Sequence, residues 1–182
     1  MPRKPPLHGL LAAVIASSGS LLTAGLPRAA AGAPAEAVML LLPAKATIKS
    51  TKGQSYTGVR LSALGPSQIL YEKGGKRALA AGDVKSIAFL GKVFLKKKNS
   101  NVVRGVEPRG CPPLAEEVQV ASAALAIQSD GTSLALLPAQ LPKTVQMDLR
   151  HTSKVRTLVV NELHFDPGGK VRVVYRACAP ES

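Results

Sequence analysis

The segment "ELHFD" sets Glu162, His164 and Asp166 at alternate positions. In an extended strand alternate side chains share a face, so two carboxylates and an imidazole would project together. These groups suit zinc or a related divalent ion. They define one reading, a metal-binding protein or hydrolase centred on His164. Spacing weakens it, because neighbours two residues apart on a strand stand about 6.6 Å apart, wide for one ion without a bend. Asp166 also opens "DPGG", a turn in which an aspartate side chain commonly accepts backbone N–H groups. A second polar set in "DLRHTS", Asp148, His151 and Ser153, has the residue types of a hydrolytic triad but falls where a polar hairpin end is expected. The sequence has no Gly-x-Ser-x-Gly elbow, no His-Glu-x-x-His and no glycine-rich phosphate loop. No cofactor is implied, and binding is favoured over catalysis.

The strongest binding feature is basic. In "GKVFLKKKNSN", Lys92, Lys96, Lys97 and Lys98 surround Val93, Phe94 and Leu95. Lysines attract acidic headgroups, polysaccharide or an acidic protein, and the apolar triplet could insert or dock beside them. Lys73, Lys76, Arg77 and Lys85 would extend the patch if the fold carries the "GG" hairpin to that side. A plainer alternative is a solvated face that blocks edge-to-edge strand pairing. The formal charge is +13, and it is lopsided. Lys45 to Arg109 holds 14 Lys and Arg against 3 Asp and Glu, whereas Cys111 to Ser182 holds 7 of each. That asymmetry predicts two surfaces and two structural units. Nucleic-acid binding is a further alternative, since the charge fits a phosphate footprint. Stacking groups are scarce: there is no tryptophan, and only Tyr56, Tyr71 and Phe94 lie near basic residues. A structural protein with an apolar interface is the remaining alternative.

The N-terminus points to where such charge would act. Arg3 and Lys4 precede a stretch from Pro5 to Pro27 without Asp, Glu, Lys or Arg, and Ala29, Ala30 and Ala31 follow. This is the pattern of an export signal over residues 1–31, with cleavage after Ala31 or Ala37. An uncleaved anchor over Leu7 to Leu26 is the alternative, weakened by Ser17, Ser18, Gly19 and Ser20. The expectation is an exported bacterial protein, in the periplasm, the thylakoid lumen or secreted. In such an oxidising compartment Cys111 and Cys178 are expected to pair. The bridge would close 67 residues and add about 3–4 kcal/mol. No later apolar run is long enough to cross a bilayer.

The elements that must position these groups read as strands. Residues 32–43 form a linker ending in the apolar run Val38 to Leu42. Residues 44–92 hold five short strands: "ATIKS", "SYTGVRLSAL", "QILYEK", "KRALA" and "KSIAFL". Gly58 inside the second predicts a bend or bulge. Five short strands with one bent member bury a core by curling into a small barrel. The glycine in "YTGVRL", the "GG" hairpin and the "GDVKSIAF" ending resemble the SH3-like and Sm-like small-barrel superfold. The resemblance implies a basic barrel over 44–92 and no particular function. Residues 93–113 read as a basic loop or hairpin ending in "CPP". Residues 114–178 read as a neutral antiparallel β domain, with "EEVQVASAALAIQ" strand or helix and "TSLALL", "TVQMDLR", "VRTLVVNELHF" and "KVRVVYRA" as strands; 179–182 are a tail. The predicted class is all-β, an SH3-like barrel followed by a second antiparallel unit. The predicted function is exported, non-enzymatic binding or scaffolding, docking on an anionic envelope surface or acidic partner through the lysine patch.

Overall fold

Alternation of apolar and polar residues builds the strands. In β2 (Pro43–Ser50) Ala46, Ile48 and Ser50 are buried while Lys45 and Lys49 are exposed. In β12 (Lys170–Cys178) Val171, Val173, Tyr175 and Ala177 are buried and Lys170, Arg172, Val174 and Arg176 are half-buried or exposed, with Cys178 buried at the end. The computed structural model describes residues 36–96, 103–128 and 130–179. The proposed leader and the lysines at 97 and 98 lie outside them. Within the described residues the protein is mostly strand, with a curled mixed sheet and one α-helix. No helix among them is long and apolar enough to cross a membrane.

The first half is a meander. β2 pairs with β3 (Ser55–Leu64), β3 with β4 (Gln68–Glu72), and β4 with β5 (Lys76–Ala80), all antiparallel. A 3-10 turn at Ala81–Asp83 then delivers β6 (Val84–Lys96) back beside β2. All five expected strands exist. The expected irregularity in the second also exists: Gly58 has a positive φ of 66°, and the β2–β3 register shifts there. β3 can therefore serve β2 with its first half and β4 with its second. β6 runs further than "KSIAFL" predicted. It continues through Gly91 and pairs with β7 (Val103–Val106), so the basic segment is a hairpin with Lys96 opposite Val103.

The second half does not stand apart. β11 (Thr157–Asp166) pairs along its length with β12, and β12 pairs with β8 (Glu116–Ala121). The other side of β11 is shared. Near its start Leu41 of β1 (Val38–Leu41) pairs in parallel with Val159, and further on Glu162, Leu163 and His164 pair with Ala88, Ile87 and Ser86 of β6. β1 pairs on its far side with β10 (Ser133–Leu136), which pairs with β9 (Leu125–Ile127). The curl brings the β9–β10 turn back onto β3, where Arg60 Nη2 donates to the Asp130 carbonyl at 2.6 Å.

Two expectations change here. "TVQMDLR" is not a strand; it lies in α1 (Lys143–Val155), entered after Pro142, with Leu149 buried and Val145 packed on the core. The expected boundary at 93–113 does not divide two cores either. Ile48, Val59, Ile69 and Ile87 share one buried cluster with Leu149, Leu163 and Val173. β6 is the reason, because one of its edges serves β2 and the other serves β11. A smaller cluster lies separately, with Val93, Val159 and Cys178 buried under Leu41, Val106 and Cys111. The Cys111–Cys178 disulfide fastens it, tying the segment after β7 to the end of β12.

Candidate functional site

The residues expected to hold a metal occupy the outer side of β11, but they turn to different partners. His164 Nε2 lies 2.8 Å from Glu162 Oε2. Asp166 is held by Arg172, whose Nε donates to Oδ2 at 2.9 Å and whose Nη2 donates to Oδ1 at 3.4 Å; Gln119 Nε2 also donates to Oδ2 at 3.4 Å. Arg172 stands across the hairpin from His164 and reaches diagonally to Asp166. These hydrogen bonds, Arg172 first, hold the Asp166 carboxyl below the ordinary aspartate value, and Asp166 raises Arg172 in return. Among the described residues no three His, Cys, Asp or Glu groups are placed to hold an ion. Alternation on the strand gives these three residues a common face, and their side chains turn to separate partners on it.

The second polar set does not assemble either. Asp148, His151 and Ser153 lie on α1, and Ser153 Oγ donates to the Arg150 carbonyl at 3.1 Å. Residues two apart on a helix point away from each other, which separates His151 from Ser153. The stacking groups required for nucleic acid are also withdrawn. Tyr71 is buried in the core at 3% exposure, Tyr56 packs on it with ring centroids 5.7 Å apart, and half-buried Phe94 lies over Gly105.

The basic residues divide into groups. Lys73 and Lys76 flank the two-glycine turn of the β4–β5 hairpin and Arg77 follows, all exposed; β3 and β2 intervene between this hairpin and β6 in pairing order. Lys85 is exposed near the start of β6, beside Lys49, and both line a shallow depression at the Thr51–Gly53 turn. Lys92 is exposed seven residues further along β6, a strand distance of roughly 20 Å. Lys96 closes β6, and Lys97 and Lys98 follow outside the described residues. The expected patch is thus not one continuous cluster along the strand.

What gathers around Leu90 was not singled out from the sequence. Leu90 is 64% exposed on the outer side of β6, with exposed Lys45 of β2 as its cross-strand partner. Beside it opens a cleft of about 390 Å³ lined by Pro43, Phe89, Leu90, Asn161, Arg176 and the cystine. The signal for Leu90 was available: Ile87 and Phe89 face inward, so period two sends Leu90 outward. Arg176 likewise alternates with buried Tyr175 and Ala177. That Asn161 lines the same cleft depends on a bulge and could not be read from the pattern. No protein-family model matches the chain, and no curated protein or solved structure matches it.

Proposed function

We propose that this is an exported, non-enzymatic binding or scaffolding protein that docks an acidic protein partner through the outer side of β2 and β6. Leu90 carries the reading. A large aliphatic side chain, 64% exposed, stands opposite exposed Lys45 of the neighbouring strand. An apolar contact beside an ammonium group, on a strand pair rich in lysine, suits an interface whose partner supplies carboxylates. The sequence adds Lys96, Lys97 and Lys98 just beyond, within a stretch where basic residues outnumber acidic ones 14 to 3. The disulfide is compatible with an exported protein. The five-strand meander, with a 3-10 turn before its last strand and its first and last strands paired, supports treating β2–β6 as an SH3-like small barrel. Such a scaffold carries binding sites of many kinds.

The test passes the full chain over immobilised polyglutamate and, separately, polyglutamine. Retention on polyglutamate alone is expected, weakening as salt rises. The variant K45E/K92E/K97E/K98E is expected to pass through. Equal retention of that variant, or capture by anionic lipid vesicles without capture by polyglutamate, would overturn the proposal.

A further inference from the structure

The chain between β7 and β8 is fastened by little besides its cystine. From Arg104 to Ala115 no residue is buried, and Glu107 to Ala115 form neither helix nor strand. Gly110 lies against Ala179, whose N–H donates to the Arg109 carbonyl at 3.1 Å. Val106 adds a partly buried side chain to the small cluster of Val93, Val159 and Cys178. That cluster is separate from the main core, so the Cys111–Cys178 bridge fastens this segment onto a satellite of the core.

The bridge is also open to reagents. Both of its halves line the cleft of about 390 Å³ beside Leu90. Among the described residues no carboxylate lines that cleft, whereas Arg176 does, so an approaching thiolate meets no repulsion there. Exchange requires a thiolate to reach one sulfur, and exposed disulfides are the labile ones. Cys111 is the better target. It is half-buried and stands in irregular chain, whereas Cys178 is 2% exposed and is held in β12. We infer that Cys111–Cys178 is a thiol–disulfide exchange site whose substrate is a dithiol, and that its reduction releases the segment between β7 and β8. One thiolate of the dithiol attacks Cys111 Sγ, the S–S bond breaks, and its electron pair leaves on Cys178 Sγ. The second thiolate attacks the dithiol's own sulfur in the mixed disulfide, and that pair leaves on Cys111 Sγ. The dithiol is oxidised to a disulfide, the cystine is reduced, and the two protons of the dithiol end on Cys111 and Cys178. The segment, with no buried residue of its own, then parts from Ala179 and uncovers Val93 and Val159.

The test treats the full oxidised chain with dithiothreitol in native buffer, alkylates it and weighs it. Alkylation of both Cys111 and Cys178 is expected, with the far-ultraviolet circular dichroism unchanged. Hydrogen exchange of the reduced protein should accelerate about tenfold or more at Val93, Leu95 and Val106, while Ile48, Ile87 and Leu163 keep their protection. Brief exposure to reduced glutathione, quenched with acid, should trap the mixed disulfide on Cys111. Alkylation that occurs only in urea would overturn the exchange site, and trapping on Cys178 would overturn the order of attack. Exchange that stays slow at Val106 after reduction would overturn the release. Exchange that rises as much at Ile87 and Leu163 as at Val93 would overturn it too, because the bridge would then brace the whole fold.

Discussion

Asp166 shows how a single residue moves from a functional reading to a structural one. The sequence displayed its alternation with Glu162 and His164 but gave no sign of Arg172, which comes from the far side of the "DPGG" turn. Only the hairpin register sets the guanidinium diagonally opposite the carboxylate. The pair has a consequence in pH. Arg172 lowers Asp166 below its ordinary value of 3.8, so the folded state prefers the ionised form. The stabilisation is complete above that ordinary value and disappears as pH falls through the lowered one. Urea denaturation midpoints should therefore drop from neutral pH to the acid range less steeply in D166N than in the parent. Parallel midpoint curves for the two proteins would show that the pair does not contribute. Both groups are partly exposed, so the effect is small and screened by salt.

At the scale of elements, most strands were legible because one face is buried and the other is not. The helix was not legible, and the cause is specific. Val145, Met147 and Leu149 share a face in a strand, whereas in a helix Val145 and Leu149 share one and Met147 turns away. Met147 is 70% exposed and Leu149 is 2% exposed, so the helical period holds. "TVQMDLR" satisfied both templates over too short a span to choose. The reach of β6 was missed for a different reason. Its continuation depends on Gly91, where φ is 90°; beyond it one pair with β2 remains, Val93 with Pro43, and the β6–β7 hairpin begins. An L-residue rarely adopts that conformation. G91A should cost about 1–2 kcal/mol, although nothing crowds the new methyl group. Hydrogen exchange should localise the loss, with amides of Val93 and Leu95 exchanging faster and those of Ile87 and Ala88 little changed. Uniform acceleration along the strand would mean that Gly91 matters to the whole sheet and not to the hairpin.

For the whole molecule, the division of charge suggested a division of structure, and the two are unrelated. Charge sits on outer faces, whereas the fold is decided by inner ones, and the inner faces of both halves meet. Ile87 is the clearest junction: it is fully buried, stands opposite Ile48 on one side and Leu163 on the other, and those two residues belong to segments more than a hundred positions apart. No local pattern reveals that β6 has two apolar neighbours, because a central strand and an edge strand can share the same alternation. The disulfide adds a covalent tie across the same junction, constraining the unfolded chain by about 3–4 kcal/mol. One cooperative unit should result. Thermal unfolding of the full chain, followed by far-ultraviolet circular dichroism and by tyrosine fluorescence, is expected to give coincident single transitions. A fragment ending at residue 110 keeps every strand of the meander but exposes the inner faces of Ile48 and Ile87 that Leu163 and Val173 help to cover. It should show no cooperative transition. A fragment that melted sharply with native-like spectra would mean that the meander buries enough apolar surface by itself, and that β11 docks onto a barrel already formed.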